Sequence, residues 1–335
     1  MEKWKSLLNK DPTNWLLEKN NPSIRYLTLT EILNKSENDD QVIAAKDEIM
    51  KKGIVPKILN KQTKSGYWES IERAYTAKYK GTVWQLIILA ELAANKKERR
   101  IKNACEFILN NLQDYRNGGF SIWHSPKTGG GRYSGVIPCL TGNMVWSLIK
   151  FGYLDDIRVK NGIKWITTYQ RFDDGIEQRP KGWPYDKATS CFSNHSCHMG
   201  VVKSLKALAE IPIQKRSKEV SITIESAVEY LLKHHIYKRS HNLKKLSKPS
   251  WLHFGFPLMY QTDVLEILGI LAKLGYNDGR MQEAIDLVIS KQDEEGHWKL
   301  ESTFNGRFQT NIEQKDKQSK WITLKVLIAL KRIYN

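Results

Sequence analysis

The chain has 335 residues, eleven tryptophans and a net charge of +17, with hydrophobic residues at 41% and aromatics at 10%; this composition excludes an intrinsically disordered protein. No run reaches the roughly 18 uncharged apolar residues needed to span a bilayer, and the opening MEKWKSLLNKDPTNW lacks the apolar core of a signal peptide, so a cytoplasmic location is expected. The cationic excess suits phosphate-bearing ligands or an anionic membrane surface, and no specific nucleic-acid motif is present. Four cysteines in a long chain of this kind, Cys105, Cys139, Cys191 and Cys197, are expected as thiols or ligands rather than disulfides.

Taken in chain order, the sequence repeats itself. A glutamine followed by glycine and tryptophan recurs as QTKSGYW from Gln62, QDYRNGGFSIW from Gln113, QRFDDGIEQRPKGW from Gln170 and QDEEGHW from Gln292. The spacing implies a degraded copy near residue 231, where YLLKHHIYKRSHNLKKLSKPSW offers His234 or His235 in place of Gln and Trp251 downstream. Before each copy comes an amphipathic helix; in KKERRIKNACEFILNNLQ the apolar stripe is Ile101, Ala104, Cys105, Ile108, Leu109 and Leu112. After each comes a helix apolar on most sides, with starts predicted near Pro22, Gly81, Pro138, Ser196, Tyr260 and Ser319. Six half-wet helices alternating with six buried ones predict an all-α chain, a single domain over 1–335 in which six helical hairpins close into an (α/α)6 toroid around a central cavity.

These Gln-Gly-Trp repeats and six helix pairs resemble the terpenoid cyclase and protein prenyltransferase superfamily, whose α/α toroid carries the QW repeat; the chain looks similar to stand-alone prenyltransferase or squalene-cyclase repeat proteins of bacteria and archaea. The resemblance implies a hydrophobic, isoprenoid-type or diphosphate-bearing ligand, with functional groups at the N-terminal mouths of the inner helices. Prenyltransferases hold zinc there through Asp, Cys and His, and the candidates at comparable mouths are Cys139, Cys191, His195, Cys197 and His198, with Cys197 as a nucleophilic thiolate. His198 also shares a stripe with Val201, Val202, Leu205 and Ala209, as a core histidine would. Class II cyclases protonate an alkene with a strong acid from a DxDD motif that is missing here. Asp263, at the start of the fifth inner helix, is the nearest substitute and equally suits a helix cap. Trp84 and Tyr260 are among the aromatics available to stabilise a cation. The GGF turn is similar to the one that precedes diphosphate-gripping residues in prenyltransferases, which nominates Lys127 and Arg132; Lys238, Arg239 and His241, from the basic segment near 233–248, could join the same pocket.

Two other classes fit the same helical pattern. A six-pair α-barrel glycoside hydrolase or polysaccharide lyase acting on an acidic sugar would need facing carboxylates, and few stand at the helix mouths. A non-catalytic binding scaffold is the third reading. The acidic turns FDDG and QDEEG read as loop signals.

Overall fold

The computed structural model describes residues 2–335. Thirteen α-helices follow in order: α1 (Thr13–Leu16), α2 (Pro22–Leu27, continued by a wider turn at Thr28–Ile32), α3 (Asp40–Ile49), α4 (Ile54–Leu59), α5 (Thr82–Glu91), α6 (Arg99–Asn111), α7 (Pro138–Lys150), α8 (Ile157–Tyr169), α9 (His198–Leu208), α10 (Lys218–Lys233), α11 (Val264–Lys273), α12 (Gln282–Ser290) and α13 (Lys320–Tyr334). Among the described residues the strands are two short ones, β1 (Lys238–Arg239) and β2 (Asn242–Leu246), joined as an antiparallel hairpin. The inner helices start within two residues of the predicted positions, except α11, which begins four residues after Tyr260 because Asp263 caps it.

The inner helices pack in chain order: α5 on α7, α7 on α9, α9 on α11, α11 on α13, and α13 on α2. The Ser23 hydroxyl donates to the Leu92 carbonyl across 2.8 Å, tying α2 to the end of α5. The outer helices α3, α6, α8, α10 and α12 lie against α2, α5, α7, α9 and α11, and the turn Lys3–Leu7 packs on α13. α7 is buried at every position from Pro138 to Leu148. It meets α9 so closely that a Cβ on Gly142 would lie 2.4 Å from the Lys203 carbonyl, which is why glycine stands there.

The repeats have a common anatomy. The backbone N–H groups of Trp68, Phe120 and Trp298 each donate to a threonine hydroxyl at the start of the following inner helix, Thr82, Thr141 and Thr323, at 3.0 Å. Trp68 and Trp298 also donate their indole N–H to carbonyls of the preceding helix, Ile58 and Val288. In the second copy the structural equivalent of these tryptophans is therefore Phe120, whereas Trp123, the residue the sequence pattern selects, is exposed. The glutamine amides stitch one repeat to the next: Gln62 donates to the Gly66 and Arg100 carbonyls and Gln113 to those of Gly118 and Arg158.

The space enclosed by the inner helices is polar at the ends of α5 and α9. Glu91 on α5 and Glu266 on α11 stand three places apart in the series of six, and Lys206 on α9 reaches both, at 2.6 and 3.1 Å. Lys203, fully buried, lies 2.6 Å from Glu266, and Lys325 on α13 lies 2.8 Å from Glu91. Charges can be buried this way only when each is paired, and here each is. Trp146 packs its ring 4.0 Å from the Lys206 ammonium. The expected apolar interior is thus crossed by ion pairs, leaving at this end a void of about 210 Å³ lined by Glu91, Lys206 and Glu266 among others.

Candidate metal centre

The stretch CFSNHSCHMG, residues 191–200, runs into the first turn of α9. It is shaped by pairing with the acidic turn at Asp173–Gly175: Asp173 and Ser196 exchange hydrogen bonds at 2.9 Å, and Gly175 N–H donates to the Asn194 carbonyl at 2.8 Å. Gly175 has a φ of +86°, and a Cβ there would lie 2.6 Å from the His195 ring. Glycine is required on both counts.

This pairing sets Asp174 opposite His195. The Asp174 carboxylate is buried and receives three further groups: Ser240 donates to Oδ1 at 2.7 Å, His234 Nε2 lies 3.3 Å from Oδ1, and His241 Nε2 lies 3.7 Å from Oδ2. His195 Nδ1 is 3.7 Å from Oδ1. His241 Nε2 also lies 2.6 Å from the Asp174 carbonyl oxygen. Asp174, His195 and His241 each offer a donor atom within 4.8 Å of the others, with the carboxylate buried and both imidazoles exposed. A carboxylate and two imidazoles on converging segments can hold a divalent transition metal.

Behind this group lies a drier layer. His198 packs against His234, Tyr230 and Trp251, with ring centroids 4.8, 5.1 and 4.6 Å away. Burial pushes His198 well below the ordinary imidazole range and lowers His234 as well. The His198 Nε2 atom is sealed from solvent and has no hydrogen-bond partner. Tyr230 donates its hydroxyl to the Ser196 carbonyl at 3.0 Å and fixes the turn into α9.

These residues line a cavity of about 660 Å³ at the mouth of α9, closed on one side by the β1–β2 hairpin, to which Arg239, Lys245 and Lys248 add positive charge. A smaller cavity of about 270 Å³ adjoins it, lined by Tyr260, Leu258, Pro257 and Phe304; Met199, Lys248 and Trp251 are common to both.

The structure divides the residues that the sequence groups together. Cys139, Cys191, Cys197 and His198 do not converge with His195 into one ligand set; His195 instead joins Asp174 and His241. Cys197 stands at the cap position of α9 without a side-chain cap hydrogen bond, and the neighbouring Cys191 thiol and the first-turn N–H groups of Met199 and Gly200 lower it below the usual thiol range. Cys139 is buried, and burial pushes it up to about 12. Arg239 and His241 line the large cavity, but Lys238 turns to Glu283, 2.6 Å away. Lys127 and Arg132 are exposed on a separate folded loop, where Arg132 lies 5.8 Å from the Trp123 ring. Two glycines of that loop serve close packing: a Cβ would lie 2.5 Å from the Gln113 carbonyl oxygen at Gly130 and 2.2 Å from the Leu112 carbonyl oxygen at Gly131.

Trp84 is buried, with its indole donating to the Tyr75 carbonyl, and Tyr260 stands beside it at 6.3 Å. Between Tyr75, Trp84 and Tyr260 the cation is Lys78, 4.5 Å from the Tyr260 ring. Asp263 caps α11, accepting from Glu266 N–H at 2.8 Å and Gly255 N–H at 2.9 Å, and lines neither cavity. Asp174 escapes a reading of the sequence because FDDG has the composition of an ordinary turn.

No protein-family model matches this sequence, and no curated protein matches it. Among solved structures, the chain is similar to a variant of the type II terpene cyclase MstE from Scytonema in complex with geranylgeranyl dihydroxybenzoate, at 16% identity and a TM-score of 0.42, over 94% of this chain and 87% of that one. The substrate-free form of MstE gives 15% identity and a TM-score of 0.41 over 93% and 87% of the two chains. A protein from Actinoplanes gives 14% and 0.45 over 94% and 90%.

Two outcomes follow. Asp174→Asn lowers the affinity for zinc or cobalt(II) by at least about tenfold in chelator-competition titrations, while Lys127→Ala leaves it unchanged; equal affinity in wild type and Asp174→Asn contradicts the assignment. Burial raises Asp263 from 3.8 to about 7, so the folded protein retains a proton that the unfolded chain releases, and the stability this group contributes falls as pH rises from 3.8 towards 7. Denaturant titrations across that window will show wild type losing stability relative to Asp263→Asn as pH rises; a constant difference contradicts the buried, protonated carboxyl.

Proposed function

We propose that the protein is a metal-dependent enzyme of the terpenoid cyclase or prenyltransferase type, acting on a diphosphate-bearing isoprenoid at the mouth of α9. One observation carries this reading: a cationic cavity with a metal-capable group adjoins, across the shared residues Met199, Lys248 and Trp251, a pocket lined by Tyr260, Leu258 and Phe304. A polar head and a hydrocarbon tail would each find a matching surface, and the shared wall marks where they join.

In this reading Asp174, His195 and His241 hold the metal, and their donor set suits zinc. When bound, the metal supplies Lewis-acid stabilisation of charge on the diphosphate. Arg239, Lys245 and Lys248 orient that group and offset its charge. Trp251 and Tyr260 face the hydrocarbon, where aromatic faces favour developing positive charge. Ser240 and His234 position the Asp174 carboxylate. Cys197 stands on the cavity wall as a thiol able to act on the bound ligand. Glycoside hydrolysis requires two facing carboxylates, whereas the cavity wall carries one, Asp174.

Calorimetry of zinc-loaded protein with farnesyl diphosphate, farnesol and an oligogalacturonate tests the reading. Farnesyl diphosphate binds, farnesol binds at least about tenfold more weakly, and Arg239→Ala with Lys248→Ala removes most of the difference. Binding of the oligogalacturonate without farnesyl diphosphate, or of neither, contradicts it.

A further inference from the structure

The cysteines of the 191–200 stretch are not metal ligands in the arrangement described above, yet their placement is specific. Phe192 pairs with Ser196 in antiparallel register, and one step outward the Cys197 N–H donates to the Cys191 carbonyl at 3.2 Å. Cys191 and Cys197 therefore occupy opposing positions of a hydrogen-bonded rung, where Cα atoms lie roughly 5.5 Å apart, within the range of about 4.4–6.8 Å that a disulfide requires. Side chains at opposing positions leave the same face of the ladder. Cys197 lines the 660 Å³ cavity, so a small oxidant can reach it. The remaining thiols differ: Cys105 is sealed in the core against α6's neighbours, and Cys139 is buried in the first turn of α7.

We infer that Cys191 and Cys197 form a redox-active dithiol that a peroxide closes into a disulfide across the base of the loop carrying His195. The Cys197 sulfur attacks one peroxide oxygen, the O–O bond breaks, and water leaves after protonation, giving a sulfenic acid. The Cys191 sulfur then attacks the Cys197 sulfur, the S–O bond breaks, and a second water departs with the thiol proton. Hydrogen peroxide is reduced and the two thiols are oxidised, with no further electron source. The five residues between the cysteines include His195, so the bond would fix both ends of the segment that presents this imidazole.

The test uses the purified full-length chain, reduced, exposed to hydrogen peroxide in slight excess, denatured and alkylated before mass spectrometry. Two of the four thiols become unavailable to alkylation, peptides link Cys191 to Cys197, Cys105 and Cys139 remain alkylatable, and dithiothreitol restores all four. In Cys191→Ser the reaction halts at a sulfenic acid on Cys197, captured by dimedone. Retention of all four thiols, a bond recruiting Cys139, or loss of two thiols in Cys191→Ser would overturn the inference. The readout is independent of substrate and of metal content, so it stands or falls apart from the proposed enzymatic role.

Discussion

The buried carboxylate of Asp174 is the constraint on which the site depends. An ionised carboxylate removed from water is costly unless hydrogen-bonded and paired, and its partners here come from three separate segments. His195 comes from the approach to α9, His234 from the end of α10, and Ser240 and His241 from the hairpin that follows it. These contacts bind two long connections to one point and so create the wall of the cavity. A divalent cation would complete the same set of charges, with the exposed imidazoles swinging only within positions that the carboxylate already defines.

Polar groups on the inner helices differ in how completely they are partnered. Between α5, α9 and α11, Lys203, Lys206, Glu91 and Glu266 satisfy one another and leave little to offer a ligand. Burial works against charge on Glu91, but Lys206 and Lys325 overcome it and hold the carboxyl well below its ordinary range. At the N-terminal mouths the groups are less completely matched: His198 keeps an unpartnered Nε2, and the cavity carries Arg239, Lys245 and Lys248 against a single wall carboxylate.

The helical plan is legible in the sequence because it rests on local periodicity and on repeated turn chemistry: a glutamine bridges to the next outer helix, and a tryptophan returns its indole to the preceding one. Even so, the pattern selects Trp123 where the fold uses Phe120, since only the threonine hydroxyl of the next helix defines the equivalent position. The hairpin at 238–246 is hidden because its alternation is between basic and polar residues, with no buried face to reveal it. The interior ion pairs are hidden for a related reason. Lys203 and Lys206 look like exposed residues of an otherwise apolar helix, and their acidic partners lie more than fifty residues away in either direction. For the site, proximity in sequence misleads: five residues separate Cys191 from Cys197, which pair through their backbone, yet His195 between them turns to Asp174 and His241.

X-ray absorption at the zinc edge of the reconstituted protein is the most direct test of this arrangement, because it reads the ligand atoms themselves. Coordination by Asp174, His195 and His241 predicts nitrogen and oxygen scatterers alone, with imidazole signatures, at about 2.0–2.2 Å. A sulfur shell at about 2.3 Å would place the metal on the cysteines and contradict the account.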